Sequence, residues 1–239
     1  MNENIAVLTK GLTKKYKEHV AVDHLDLEIR DGELFALLGV NGAGKTTTLR
    51  MLSCLSAPTE GTAEVYGFDV MRDAHKVKEL IGVSPQDTAV AEKLTVFENL
   101  RFMAGIYGLQ ETERANELIK AFHLEEVRNA RAKTLSGGWK RRLSIAMALV
   151  SNPKLLFLDE PTLGLDVLAR RELWEVIRTV KEHTTIILTT HYMEEAEALS
   201  DRIGILISGR LTHLGTLAQL EQETGRKGLE EVFLAAAGK

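Results

Sequence analysis

A chain of 239 residues is long enough to bury a substantial core as one large domain or two small ones. Its composition, 44% apolar and 27% charged with a net charge of −4, is that of an ordinary globular protein and gives no electrostatic reason to expect a nucleic-acid partner. No apolar run approaches the roughly 18 residues that a membrane-spanning helix needs.

The chain opens on Met1-Asn2-Glu3-Asn4, which lacks the basic start and apolar stretch of a secretory signal, so it is expected to stay in the cytosol. From Ile5 the sequence turns apolar, and Leu25, Leu27 and Ile29 alternate with Asp26, Glu28 and Arg30. That alternation predicts a half-buried antiparallel strand, turned at Asp31-Gly32 into the next. Leu34 to Leu38 is a short continuous apolar run, the pattern of a buried strand. It leads into Gly39-Val40-Asn41-Gly42-Ala43-Gly44-Lys45-Thr46-Thr47, and Thr48 to Leu55 then reads as a helix without Gly or Pro. Strand, glycine-rich turn and helix is the context in which G-x-x-x-x-G-K-T is a phosphate site. The glycines let successive N–H groups point inward, and the helix adds its positive end. Lys45 is expected to reach the β- and γ-phosphates of a nucleoside triphosphate, and the Thr46 hydroxyl to bind Mg²⁺. The single cysteine, Cys54, excludes an internal disulfide and is expected in the core, on this helix. Ala63 to Val65 adds an edge strand, completing a β-rich opening third.

The middle of the chain changes to helical periodicity. Between about Thr95 and Arg131, Phe97, Leu100, Met103 and Ala104 share one face and Leu118, Ile119 and Phe122 another, which predicts a helical insertion. The run Lys140-Arg141-Arg142 reads as a solvated helix face. Lys154 to Asp159 is an apolar strand of the kind covered on both faces, followed by a helix with Leu173, Val176, Ile177 and Val180 at i, i+3, i+4 and i+7. Thr184 to Thr190 makes a further strand, so strands alternate with helices and the sheet is expected to be parallel. Arg202 to Leu214 reads as two short strands turning at Ser208-Gly209. Thr216 and Gln219 form a capping box opening a last helix, and Gly225 and Gly228 set off a final short one.

Two further segments narrow the chemistry beyond a phosphate loop, which kinases, GTPases and motors share. Asp159 and Glu160 end an apolar strand, where a parallel sheet places its ligands; Asp159 suits Mg²⁺, and Glu160 suits polarising a water for attack on a γ-phosphate. Leu135-Ser136-Gly137-Gly138-Trp139 precedes a helical pattern and builds a second phosphate-binding helix start. One chain with one nucleotide has little use for two such ends, whereas two facing chains can each close on the γ-phosphate held by the other.

With these motifs the chain resembles, over essentially its whole length, the nucleotide-binding subunit of an ABC transporter. The resemblance implies an α/β fold: a P-loop NTPase core with a mostly parallel sheet, an N-terminal antiparallel β layer and a helical subdomain inserted at about 87–150, all in one domain with a short helical tail at about 216–239. It implies that Tyr16 stacks on adenine, that Gly39 to Thr47 cradles the phosphates, and that Gln86 is the lid glutamine contacting Mg²⁺ and the attacking water. It further implies that Ser136, Gly137 and Gly138 are the signature motif, Asp159 and Glu160 the Mg²⁺ and general-base pair, Gly164-Leu165-Asp166 the loop crossing to the partner, and His191 the switch histidine at the γ-phosphate. Trp139 departs from the family's usual glutamine and is expected to pack against the ribose or the dimer seam. The implied cofactors are ATP and Mg²⁺, and the implied partners a second copy and an integral membrane permease contacted near 87–103, at the cytoplasmic face of the membrane. The chain looks most like the ATPases of ABC-2 type exporters. A soluble ABC-type ATPase acting on nucleic acid or ribosomes is the alternative, disfavoured by the single cassette, the single cysteine and the acidic balance.

Overall fold

The computed structural model describes residues 5–238, so the polar start Met1–Asn4 lies outside the described residues. In chain order it runs β1 (Ile5–Tyr16), β2 (His19–Arg30), β3 (Leu34–Leu38), α1 (Lys45–Leu52), β4 (Glu60–Val65), β5 (Phe68–Asp69), α2 (Ala74–Leu80) and β6 (Ile81–Ser84). The helices α3 (Val96–Ile106), α4 (Glu111–Ala121) and α5 (Gly137–Ala148) follow. Then come β7 (Leu155–Asp159), α6 (Val167–Lys181), β8 (Thr185–Thr190), α7 (Met193–Leu199), β9 (Arg202–Ile207), β10 (Arg210–Gly215), α8 (Leu217–Thr224) and α9 (Leu229–Ala236).

Among the described residues the strands form two sheets. One is antiparallel, in the order β2-β1-β4-β5; the other, β10-β9-β3-β8-β7-β6, is parallel except at β10. The expected α/β class, antiparallel N-terminal layer and helical insertion are all present. Strand β3 shows why the central sheet reads as solid apolar sequence. Leu34, Ala36 and Leu38 point into the helix-side core, while Phe35 and Leu37 point into the core beneath the antiparallel layer. A period of two sends alternate residues to opposite faces, and here both faces are covered. Strand β7 divides likewise, Leu156 and Leu158 against Leu155 and Phe157.

The helices follow their apolar stripes and caps. Leu173, Val176 and Ile177 are the buried residues of α6, whose first turn is capped by Asp166 accepting from the Ala169 amide. Thr95 and Glu98 form a capping box on α3, and Thr216 and Gln219 the expected one on α8. An isolated bridge between Thr95 and Arg131 closes the base of the α3–α4 insertion.

Two expectations need correction. Ala63 to Val65 is not at an edge, because β4 lies between β1 and the two-residue β5. Cys54 is not on α1: the helix ends at Leu52, and Cys54 sits in the turn beyond it with φ 59°, half-buried against the β-side core. Asp31-Gly32 does turn the chain, but β2 and β3 are not paired; the turn carries the chain from one sheet to the other.

Strand order decides where the chemistry collects. β3, β8, β7 and β6 are neighbours and parallel, so the loops leaving their C-terminal ends share one rim. Those loops begin at Gly39, His191, Glu160 and Pro85.

Candidate functional site

The glycine loop encloses a cavity of about 400 Å³ lined by Asn41, Lys45, Thr46, Gln86, Glu160 and Tyr16, among others. Gly42, Ala43, Gly44 and Thr47 line it too. Gly44, the residue before α1, is left-handed at φ 106°, and a Cβ there would lie 2.4 Å from the Ala21 carbonyl oxygen. Gly39 is excluded from carrying a side chain for a similar reason, its Cβ position being 2.6 Å from the Leu206 carbonyl oxygen. These two glycines hold the loop between the antiparallel layer and β9.

Lys45 is 4% exposed; its Nζ donates to the Gly39 and Val40 carbonyls at 2.8 and 3.2 Å and stands 3.1 Å from Glu160 Oε1. The other Glu160 oxygen, Oε2, is 3.1 Å from His191 Nδ1. Glu160 therefore sits between Lys45 and His191, with a left-handed backbone at φ 46° that turns it off the end of β7. Its own amide donates to the Thr189 side chain and carbonyl at 3.0 and 3.1 Å. One residue earlier, Asp159 Oδ1 accepts from Thr46 Oγ1 at 3.0 Å and from Thr189 Oγ1 at 2.6 Å. Lys45, Thr46, Asp159, Glu160, His191 and Gln86 are thus brought together as expected.

Tyr16 is at the cavity's margin, 45% exposed, with the Lys14 ammonium 5.0 Å from its ring centroid. Ser136, Gly137 and Gly138 are not brought to this cavity. They start α5 elsewhere on the surface, with Ser136 and Gly137 exposed and the Ser136 hydroxyl accepting from the Trp139 amide at 3.4 Å. Leu165 packs beside Gly137, 3.6 Å from its Cβ position, so the loop before α6 lies against the start of α5. Trp139 is half-buried against the helix-side core, and the Arg142 guanidinium lies 4.9 Å from its ring.

Sequence reasoning misread one run and missed two partners. Arg141 and Arg142 are not solvated: they are 4% and 7% exposed, Arg142 paired with Glu172 and Arg141 donating to the Pro85 and Gln86 carbonyls. Thr189 orients both acidic residues, yet in the sequence it is one β-branched residue of a strand. Glu195, fully buried on α7, accepts from Trp174 Nε1 at 3.2 Å. Its proximity to Thr190 and Thr162 comes only from strand and loop placement.

The donor set suits a hard cation. A hydroxyl and a carboxylate in contact at the cavity edge are oxygen ligands, and among the described residues no group of three His, Cys, Asp or Glu forms an all-protein metal cage. Mg²⁺ commonly uses one or two such protein oxygens and takes the rest from phosphates and water.

Comparison with known proteins agrees with this geometry. The family model for ABC transporters matches residues 22–163, more than half of the chain. The chain belongs to the ABC transporter family. It is an ATP-binding, ATP-hydrolysing cassette of that family. The daunorubicin/doxorubicin resistance ATP-binding protein DrrA of Streptomyces peucetius is 45% identical over 92% of this chain and 68% of that protein. The human phospholipid-transporting ATPase ABCA3 is 42% identical over 91% of this chain, which spans only 13% of that much longer protein. A dimeric ATP-binding cassette solved in a post-hydrolysis state with ADP and Pi superposes with a TM-score of 0.79, at 28% identity, covering 88% of this chain and 98% of its own. As an ABC cassette, the chain also carries no helix among its described residues long and apolar enough to cross a membrane.

Proposed function

We propose that this cassette powers export through a separately encoded membrane permease, working as a head-to-tail pair of copies whose two nucleotide sites are each completed by the partner. One observation carries the reading: Ser136 to Gly138 form a capped helix start, exposed at Ser136 and Gly137, that lies outside the cavity of their own chain. A helix start with free N–H groups is built for an anion, and the γ-phosphate of a facing copy supplies one. That the related cassette is dimeric in its post-hydrolysis state supports the pairing of two copies.

Within each site the side chains divide the work. ATP phosphates take Lys45 away from Glu160 Oε1 and onto the β- and γ-oxygens. Glu160, still aligned by His191 and by the Thr189 hydroxyl, is then free to orient and activate water. Gln86 and His191 stabilise charge on the transferring phosphoryl group. Thr46, Asp159 and Gln86 would hold Mg²⁺, which would supply charge neutralisation at the phosphates. Tyr16 stacks on the adenine. Closure depends on γ-phosphate contacts that disappear on hydrolysis, so the bound nucleotide biases an open-to-closed equilibrium of the pair.

A second groove of about 430 Å³ runs beside the lid, lined by Leu55, Pro85, Ala89, Met103 and Tyr107. We assign it to a cytoplasmic segment of the permease, which places the cassette peripherally at the inner membrane surface. The proposed contact takes in 87–103 together with Leu55 and Tyr107, which line the same groove. DrrA's name, a drug-resistance ATP-binding protein, supports export over import. The mechanism is tested with Glu160→Gln: with ATP and Mg²⁺ it should elute as a stable dimer with turnover reduced at least about a hundredfold. Wild-type turnover in that variant would remove Glu160 from the role of base.

A further inference from the structure

The contact between α5 and the lid is built unlike an ordinary helix–sheet packing. At its far end Gly82 of β6 presses on α5 so closely that a Cβ would lie 2.2 Å from the Ala148 carbonyl oxygen. One turn nearer the site, the hydroxyls of Ser84 and Ser144 share a buried hydrogen bond of 3.0 Å. Nearest the site, Arg141 Nη1 and Nη2 donate to the carbonyls of Pro85 and Gln86 at 2.6 and 2.5 Å. Arg141, Ser144 and Ala148 fall at i, i+3 and i+7, so a single stripe of α5 holds β6 and the lid that follows it. The stripe begins three residues, about one helical turn, after Gly138.

A guanidinium 4% exposed is an expensive way to hold a surface loop. Burial pulls its pKa below the ordinary arginine value, opposed by the carboxylates of Asp159, Asp87 and Glu195 around it. A planar fork with parallel N–H groups can grip two successive carbonyls at once, which an ammonium or a single amide cannot. We propose that Arg141 is a positioning residue that fixes the Gln86 backbone to the signature helix, so that engagement of Ser136 to Gly138 by one nucleotide sets the place of the lid glutamine over the other. The parts of one chain that serve the two nucleotide sites are then mechanically one body, joined through Arg141. The proposal rests on the ATPase reading above.

The test is a double-mutant cycle on the full-length chain, measuring steady-state ATP hydrolysis with Mg²⁺ for wild type, Arg141→Gln, Gln86→Ala and the double variant, with Arg141→Lys as a milder companion and thermal melts as a folding control. Arg141→Gln should lower kcat about tenfold while KM for ATP stays within about threefold, because the phosphate loop is untouched. Arg141→Lys should fall between it and wild type. In the Gln86→Ala background, removing Arg141 should cost little more, since its effect runs through Gln86. Wild-type kcat in Arg141→Gln, or losses that multiply in the double variant, would overturn the coupling. If Arg141→Gln melts before assay temperature, the same comparison is made with Arg141→Lys alone and with Gln86→Ala, and additivity there overturns it equally. Absence of hydrolysis by wild type would instead strike the ATPase reading.

Discussion

Glu160 is pulled from two sides, by Lys45 on one carboxylate oxygen and by His191 on the other, and its backbone is held in a left-handed turn. Residues under such constraint are sensitive to substitutions that change shape without changing charge. Gly44 is the sharpest case. Gly44→Ala places a methyl 2.4 Å from the Ala21 carbonyl oxygen at φ 106°, so it should cost about 3 kcal/mol of stability and abolish ATP binding, read by denaturant midpoint and nucleotide titration. Gly42 is also left-handed, at φ 82°, but has open space around it, so Gly42→Ala should cost only about 1 kcal/mol. Equal losses at the two positions would show that crowding at Ala21 is not what distinguishes them. Glu195 makes a pH prediction. Burial raises its pKa above the ordinary 4.5, against the pull of the nearby Thr190 and Thr162 hydroxyls, the Trp174 hydrogen bond and Arg170. The folded state therefore holds this proton more tightly than the unfolded chain. Its contribution is fully present below the unfolded value and is lost as pH rises through the raised folded value. Glu195→Gln has no such loss, so its melting temperature relative to wild type should climb from acid toward neutral pH; a difference independent of pH would contradict the raised value.

Elements are held by a few buried polar groups as much as by their apolar stripes. On α3, Asn99 is fully buried: its side-chain oxygen accepts from the Ala91 amide at 2.8 Å, and its nitrogen donates to the Ala91 and Thr95 carbonyls at 3.1 and 2.9 Å. It ties the segment following the lid to the first turn of the inserted helices. Asn99→Leu leaves the Ala91 amide without its partner, while the Ala91 and Thr95 carbonyls keep the backbone amides of Leu94 and Asn99, and should cost about 1–3 kcal/mol, with faster amide exchange at Ala91. Unchanged exchange at Ala91 would show that the segment is held by other contacts. The α8 capping box is a smaller and more local device, and Thr216→Ala should cost about 1 kcal/mol in the same denaturation assay.

For the whole molecule the decisive quantity is concentration. If each site needs Ser136 to Gly138 of a second copy, activity per subunit must rise with protein concentration and level off as dimers fill. A flat specific activity far below the association midpoint would mean that one chain completes its own site. Sulfate or phosphate should not substitute for ATP in driving association, because closure requires the anion and the Lys45 grip on one ligand at once.

Much of the proposed site was legible before the fold was known because its parts are local. A turn needing left-handed glycines, a hydroxyl capping a helix and a carboxylate pair ending an apolar strand each announce themselves within a few residues, which is why Gly39 to Thr47, Ser136 to Gly138 and Asp159-Glu160 could be read directly. The alternating burial of β3 and β7 was legible for the same reason. What the tertiary structure alone decided is which of these parts share a rim and which charges are buried. Neighbouring strands β3, β8 and β7 set Thr46 and Thr189 on Asp159, and that adjacency joins positions far apart in the chain. Arg141 looked like one of three solvated basic residues, since a charge reveals nothing in sequence about what will cover it. Its burial depends on β6 and the lid arriving from another part of the chain, and burial of a charged group is a property of the assembled neighbours rather than of the residue.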